Sequence, residues 1–247
     1  QPVYGIILFT SAAMIGLSPT FSMFTLTDDV KLMADMGLAT IMLTGLLLAA
    51  FTASGVIWRE IEEKTVLTVV TKPVNSFEFV TGKFIGILLA LAAAMYLLLL
   101  VLLLMVRIGA PETAAFELDL PVTIGLLGSL VLSMIIGGCA NFFFNKNFAS
   151  TSVGAAIPII TISFLVLCFF DKEFNIQEFG VGIDWNLAKA GILVCFAVFI
   201  LGALATALST RVGTVMNIVL CFAVFMLGLL SDYMFGQLAQ VNVLARI

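Results

Sequence analysis

The residue types that usually carry out chemistry are scarce in this chain of 247 residues, which has no histidine. Its four cysteines lie singly inside apolar runs, as is typical of small buried hydrophobes; they are Cys139, Cys168, Cys195 and Cys221. No CxxC pair occurs, and no histidine can complete a zinc site. The motifs GxxxxGK[ST], HExxH and GxSxG are also absent. The sequence therefore predicts no metal site, no ATPase site and none of the common hydrolase sites.

Eight charged side chains are concentrated in one stretch, from Trp58 to Lys83. They are Arg59, Glu60, Glu62, Glu63, Lys64, Lys72, Glu78 and Lys83. Long apolar runs flank the stretch, residues 37–57 before it and 84–106 after it. Each charge at a bilayer centre would cost about 2.5–3.5 kcal/mol. We therefore expect residues 58–83 to lie in water, as a loop between two membrane spans.

The pattern inside this stretch predicts a short helix, a break and the start of a second helix. An irregular apolar stripe through Val66, Leu67 and Val70 lies opposite an acidic face. Pro73 lacks an amide proton, so the first helix should end there. Asn75 followed by Glu78 resembles a capping box, from which a second helix would run through Lys83 into the membrane. Such an amphipathic segment is suited to a soluble partner or to the lipid headgroups.

Composition defines the fold class. The chain is 62% apolar and 11% charged, whereas about a quarter of the residues in a soluble domain are charged. We predict an all-α polytopic integral membrane protein with about seven transmembrane helices. The expected spans are Val3–Ser18, Gly37–Ile57, Phe84–Val106, Val122–Phe144, Ala149–Phe170, Leu187–Leu208 and Val212–Phe235. Pro19–Met36 and Asp171–Trp185 are expected to be polar loops.

Residues 1–247 are predicted to form a single transmembrane domain. Because the chain begins at Gln1 with a short first apolar run, we expect an excerpt that lacks an N-terminal lead and a C-terminal part. Placing residues 58–83 in the cytoplasm puts six basic residues inside and four outside, a weak positive-inside bias. The inner set is Arg59, Lys64, Lys72, Lys83, Lys146 and Arg211, and the outer set is Lys31, Arg107, Lys172 and Lys189.

Polar side chains within the spans are expected to be hydrogen-bond partners between helices rather than substrate ligands. They are Thr44, Ser54, Ser129, Ser133, Asn141 and Asn217. The octapeptide that starts at Cys195 is nearly repeated from Cys221. Since these two spans run in opposite directions, we interpret the repeat as a coincidence among the few residue types that are common in membrane helices.

The stretch REIEEKTVLTVVTKPVNSFEFVTGKF resembles the cytoplasmic signature of membrane subunits of type-2 ABC transporters. The resemblance includes an acidic start, a threonine, an apolar pair, a proline and a Gly-Lys pair that leads into the third span. The matching positions are Glu60, Glu63, Thr65, Leu67, Val69, Val70, Pro73, Gly82 and Lys83. Residues 207–211, Ala-Leu-Ser-Thr-Arg, are similar to the branch linked to multicopper-enzyme maturation. The family core has six spans, one fewer than the seven expected here.

The resemblance implies a permease subunit in the inner (cytoplasmic) membrane, which would form the path of an ATP-driven transporter, most simply an exporter. A second permease subunit and a separate cytoplasmic ATPase, which would bind ATP and Mg²⁺, are the implied partners. The coupling residues would be Glu60, Glu62, Glu63, Thr65, Val66, Leu67, Val70 and Pro73. Two alternatives remain open. One is a non-transporting membrane anchor that docks a cytoplasmic partner, and the other is a partnerless elbow on the membrane surface.

Overall fold

The computed structural model describes residues 2–22, 29–58, 76–109, 119–172 and 174–244. These residues form seven helices in the order α1 (Pro2–Ser22), α2 (Asp29–Ala53, continued by the π-helical turn Ser54–Trp58), α3 (Ser76–Ile108), α4 (Leu120–Phe144), α5 (Phe148–Leu167), α6 (Trp185–Ser209) and α7 (Thr214–Leu244). The described residues contain no β-strand, only an isolated antiparallel bridge between Phe170 and Ile176.

Length and apolar composition make this bundle a multi-pass helical membrane protein. A hydrocarbon core of about 30 Å is crossed by about 20 helical residues. Six helices, α2 to α7, contain stretches that are long and apolar enough to cross a membrane. Helix α1 contributes a shorter apolar stretch, Val3–Pro19.

Short polar side chains define the ends of the hairpin that α4 and α5 form. Asp119 precedes α4, and its carboxylate accepts a hydrogen bond from the Val122 amide at 3.2 Å. Asn145 ends α4 in the left-handed conformation, with φ of 52°, which asparagine tolerates better than most residues. Asn147 then caps α5 by accepting from the Ala149 amide at 3.2 Å. These caps satisfy backbone groups that helix ends leave without partners.

Two helices, α2 and α3, form the centre of the bundle. Helix α2 packs against α1, α3, α6 and α7, and the α4–α5 hairpin packs alongside α3. The leucine-rich middle of α3 is buried, including Leu98, Leu102 and Leu104 at 1% exposure or less. Helix α4 instead exposes a row of apolar side chains, among them Leu127 and Val131. In a bilayer, such a face contacts the acyl chains.

Glycines let the central helices approach closely. A Cβ atom added to Gly45 of α2 would overlap a methyl carbon of Val198 on α6. A Cβ atom added to Gly191 of α6 would overlap a methyl carbon of Leu99 on α3. At both positions the neighbouring side chain would have to shift to admit a Cβ atom, so these glycines allow the close helix spacing that small residues give in membrane proteins.

Consecutive helices run in alternating directions, which gives the bundle two distinct ends. The 59–75 end is where α2 ends and α3 begins, and it also holds the α4–α5 and α6–α7 turns. The opposite end holds the connections α3–α4 and α5–α6. Lys83, Lys146 and Arg211 thus belong to the 59–75 end, as the predicted topology requires. Arg107 and Lys189 belong to the opposite end.

One predicted boundary is wrong and another is confirmed. The charges of residues 19–36 predict a loop, but α2 already begins at Asp29 and Met33 is fully buried. Lys31 and Asp35 lie four residues apart on this helix, a spacing that supports helical structure. Helix α3 begins at Ser76 and continues through Lys83, so the predicted second helix through Lys83 is confirmed. Pro158 lies inside α5, as expected.

Candidate functional site

The predicted coupling residues lie outside the part of the chain that the structure describes. Glu60, Glu62, Glu63, Thr65, Val66, Leu67, Val70 and Pro73 all fall between residues 59 and 75. Their roles therefore stay predictions. The structure does describe the two helix ends that receive this segment, the π-helical turn at the end of α2 and the first turns of α3.

The π-helical turn Ser54–Trp58 is held from the side by a buried asparagine of α7. Asn217 is fully buried, and its amide nitrogen donates to the Ser54 hydroxyl at 2.9 Å and to the Ala50 carbonyl at 3.3 Å. Its amide oxygen accepts from the Cys221 thiol at 3.5 Å. The asparagine thus contacts both the first residue of the π-helical turn and a carbonyl of the preceding turn. The contact joins α7 to the last turn of α2 before the charged segment.

A cavity of about 500 Å³ opens at the same end of the bundle, within the size range of ligand sites. Four helices contribute to its wall, namely α1, α2, α3 and α5. Apolar residues dominate the lining, including Val56, Ile87, Val153 and Ile157. The polar groups are Tyr4, Thr52, Ser150 and Lys83. This cavity is the main candidate for a binding site among the described residues.

Two of the polar side chains at the cavity are already engaged with backbone. The Tyr4 hydroxyl donates to the Ala90 carbonyl at 2.8 Å and so joins α1 to α3. The Thr52 hydroxyl donates to the Leu48 carbonyl one turn earlier in α2. Among the described lining residues, Lys83 alone carries a charge. Its Nζ atom is buried, and the described lining offers none of the acid–base or nucleophilic pairs on which enzymes rely.

A buried cation organises the opposite end of the bundle. The Arg107 side chain is 5% exposed and pairs with the 1% exposed Asp119 carboxylate at 3.1 Å. It also donates to the carbonyls of Leu167, at 2.7 Å, and Phe170. One guanidinium thus joins the end of α3 to the start of α4 and the end of α5. Burial raises the pKa of the nearby Cys168 thiol, an effect that the Arg107 charge partly opposes.

The expectation of hydrogen bonds between helices is confirmed for three of the six polar residues. Ser54 and Asn217 bond to each other, and the Thr44 hydroxyl lies 2.6 Å from the Ser11 hydroxyl of α1. The Ser129 and Ser133 hydroxyls instead donate to carbonyls of their own helix. The amide of Asn141 donates to the Lys146 carbonyl and helps to close the α4–α5 turn.

The cysteines only partly match the expectation of buried hydrophobes. Cys168 and Cys221 are buried, Cys195 is half-buried and Cys139 is exposed. All four are free thiols. Within the described ranges, histidine, cysteine and carboxylate side chains form no group of three or more that could hold a metal ion.

No local pattern predicts the Arg107–Asp119 pair or the cavity. Because Arg107 follows an apolar run, the sequence alone indicates a charge in a loop. The carbonyls to which it donates, however, belong to Leu167 and Phe170, which are 60 and 63 residues away along the chain. The cavity depends on four helices whose relative positions no local pattern encodes.

Comparisons with known proteins leave the function to be inferred from the residues themselves. A scan against protein-family models, a search of the curated proteins and a search of the solved structures each found no match to this chain. Any function assigned to the chain therefore rests on the chemistry of the described residues and on the charged segment.

Proposed function

We propose that this chain is the permease subunit of an ATP-driven ABC transporter, an exporter in the simplest case. Its membrane helices would form the translocation path. The charged segment would dock on a separate ATPase subunit, because the sequence contains no phosphate-binding loop of its own. The observation that carries the proposal is the position of that segment. It directly follows the π-helical turn that Asn217 ties to α7, and it directly precedes α3.

The contacts of α2 supply a route for mechanical work. Force applied to residues 59–75 would reach the π-helical turn first, and π-helical turns are frequent at functional sites. From there it would pass through Asn217 to α7, and through the glycine contact at Gly45 to α6. Work is transmitted only if the segment binds two states of the ATPase with different affinities. We infer that Glu60, Glu62 and Glu63 supply the polar contacts and that Val66, Leu67 and Val70 supply the apolar ones.

This function requires partners. A second permease subunit, identical or related, would complete the path, and the ATPase would hold ATP and Mg²⁺. We place residues 59–75 on the cytoplasmic side of the inner membrane, where an ATPase can reach them. Labelling of single cysteines at residues 60 and 70 from outside intact cells would contradict this topology.

The decisive experiment measures whether the segment couples an ATPase. The full-length protein is purified with its co-purifying ATPase in lipid nanodiscs, and ATP turnover is compared with that of a variant carrying Val66→Asp and Leu67→Asp. A charge placed on the apolar face must be desolvated on docking, so turnover should fall at least about tenfold. The control is Ile176→Asp, at an 84% exposed position of the opposite end, which should leave turnover unchanged.

Two results would overturn the proposal. Turnover that is unaffected by the double substitution, with the ATPase still bound, would favour a membrane anchor that merely docks a partner. Purification without any ATPase would leave a membrane-surface elbow as the better account of the segment.

A further inference from the structure

The connection between α5 and α6, residues 168–184, forms a hairpin that exposes large apolar side chains. Phe170 and Ile176 pair as an antiparallel bridge, and the Gln177 amide donates to the Phe169 carbonyl at 2.8 Å. The apolar side chains of the hairpin and of the first α6 residue that are 48% to 84% exposed are Phe169, Phe174, Ile176, Phe179, Val181 and Trp185. Such a patch marks a surface that another molecule covers. We propose that the hairpin lies in the interfacial region of the surrounding bilayer, with these side chains among the lipid headgroups and the adjoining acyl carbons.

Hydrogen bonds hold the hairpin close to the ends of two membrane spans. The candidate spans on either side of it end at Leu167 and begin at Trp185. The Gly180 amide donates to the Cys168 carbonyl at 3.3 Å, and Arg107 donates to the Leu167 carbonyl at 2.7 Å. These bonds tie the hairpin to the last turn of α5, so it stays near the level at which the spans leave the hydrocarbon. Amphipathic aromatic side chains are enriched at that level of membrane proteins.

The apolar face that α5 presents to lipid continues into the hairpin. Ile162, Leu165 and Phe169 recur at helical intervals, and all three are exposed. The ring centroids of Phe169 and Phe179 lie 5.3 Å apart, so the second half of the hairpin extends the same face. This continuity favours the bilayer as the occupant of the patch, because a soluble partner would have to cover a surface that borders directly on acyl chains.

The charges of the hairpin show which lipid property the contact would use. Residues 168–184 contain four acidic side chains and one lysine, namely Asp171, Glu173, Glu178 and Asp184, and Lys172. An anionic leaflet attracts basic segments and repels acidic ones. Burial of apolar side chains must therefore supply the binding, and the contact should be at least as strong in phosphatidylcholine as in phosphatidylglycerol. This inference goes beyond transport, because the hairpin lies at the end of the bundle opposite residues 59–75.

The experiment locates the tip of the hairpin with a single tryptophan. The sequence has two tryptophans, Trp58 and Trp185, and both are replaced with phenylalanine. Phe174→Trp then places the reporter in the turn, where the residue 174 amide donates to the Asp171 carbonyl at 3.1 Å. The full-length protein is assembled in phosphatidylcholine nanodiscs, in which iodide reaches both membrane faces. Quenching by lipid brominated near the headgroup end of its acyl chains is compared with quenching by iodide.

A second reporter calibrates contact with lipid. Leu193→Trp, in the same background, lies at a 69% exposed position of α6. Brominated lipid should quench Phe174→Trp at least half as strongly as it quenches Leu193→Trp, and iodide should quench neither. The same result is expected in nanodiscs of phosphatidylcholine mixed with phosphatidylglycerol, or a weaker contact if repulsion is felt.

One further substitution tests whether apolar burial holds the hairpin. Ile176→Asp puts a charge at the most exposed apolar position of the patch. Because that charge would have to be desolvated in the interface, iodide quenching of Phe174→Trp should rise at least about twofold. Lys172→Gln is the matched control, since it makes the net charge more negative by the same amount at an exposed polar position of the hairpin, and it should leave the quenching unchanged. Circular dichroism confirms that each variant is folded, and ATP turnover, which depends on the other end of the bundle, should not change.

Three results would overturn the proposal. Quenching of Phe174→Trp by iodide but not by brominated lipid would place the hairpin in water, open to a soluble partner. Protection of the reporter from both quenchers would show that protein, such as a second copy of this chain, covers the patch. Equal effects of Ile176→Asp and Lys172→Gln would show that apolar burial does not hold the hairpin at the membrane.

Discussion

Replacing Arg107 with methionine tests whether one buried cation holds the opposite end of the bundle together. Methionine keeps much of the length of the side chain and its apolar stem but removes all of its donors. The substitution deletes the 3.1 Å ion pair with Asp119 and the hydrogen bonds to the carbonyls of Leu167 and Phe170. It also leaves a carboxylate that is 1% exposed without its cation.

The magnitude of the effect depends on this burial. Removing one member of a buried ion pair costs about 3–5 kcal/mol, because the remaining charge is left uncompensated. Asp119 keeps one hydrogen bond, from the Val122 amide at 3.2 Å, which places the expected loss of unfolding free energy at about 3 kcal/mol. The carbonyls of Leu167 and Phe170 lose a donor as well, so the loss of unfolding free energy should not be smaller than this value.

The assay is reversible unfolding in mixed micelles, followed by tryptophan fluorescence. Trp185 is a suitable reporter because it begins α6 at the same end, and its ring lies beside Gly180 of the α5–α6 connection. The matched control is Arg211→Met, at an exposed arginine of the 59–75 end, which should change the unfolding free energy by less than about 0.5 kcal/mol.

A double substitution separates the ion pair from the other contacts. Arg107→Met combined with Asp119→Leu removes the stranded carboxylate, so it should cost less than the sum of the two single substitutions. Two results would refute the reasoning. One is an Arg107→Met variant as stable as Arg211→Met, and the other is strict additivity of the two single changes.

Two further predictions concern single contacts, and the same unfolding assay checks both. Gly137→Ala would place a Cβ atom against the Ser152 hydroxyl oxygen with clear overlap, whereas Gly138→Ala meets nothing within 4 Å. The first should destabilise by about 1–3 kcal/mol and the second should be neutral or stabilising, and equal effects would contradict the α4–α5 packing. Asn217→Leu removes two donated hydrogen bonds and should cost about 1–2 kcal/mol. Ser54→Ala should cost less, since Asn217 keeps its bond to the Ala50 carbonyl, and an equal cost would show that this bond is unimportant.

Local signals in the sequence predict those helix ends at which a side chain forms a hydrogen bond with backbone groups a few residues away. The turn at Asn145–Asn147 separates two helices as expected, because both asparagines act on backbone within a few residues. The start of α2 is mispredicted for the opposite reason. Charged residues such as Lys31 indicate a loop, yet a helix can project charged turns beyond the membrane. The π-helical turn has no local signal either, since its partner Asn217 is 163 residues from Ser54.

The repeated octapeptide shows how little a local pattern says about packing. Val198 is fully buried against Gly45, whereas Val224, at the equivalent place in the second copy, is 42% exposed. A Cβ atom on Gly202 would lie 2.8 Å from Leu91, but one on Gly228 meets nothing within 4 Å. The two helices occupy different positions, α6 against both α2 and α3, and α7 against α2 and α6. The interpretation of the repeat as chance agrees with these different surroundings.

The sequence by itself determined that this is a helical membrane protein, and it predicts that a charged segment lies outside the bilayer. Both properties follow from transfer free energies into the bilayer, summed over neighbouring residues. The sum is favourable for the long apolar runs and unfavourable for the eight clustered charges. Only the tertiary structure decided that Arg107 is buried, that Asn217 supports a π-helical turn and that Lys83 lines a cavity. Each of these depends on groups far apart in the chain. In a bilayer, the burial of apolar faces does not favour one pairing of helices over another, so close packing and polar contacts decide which helices pair.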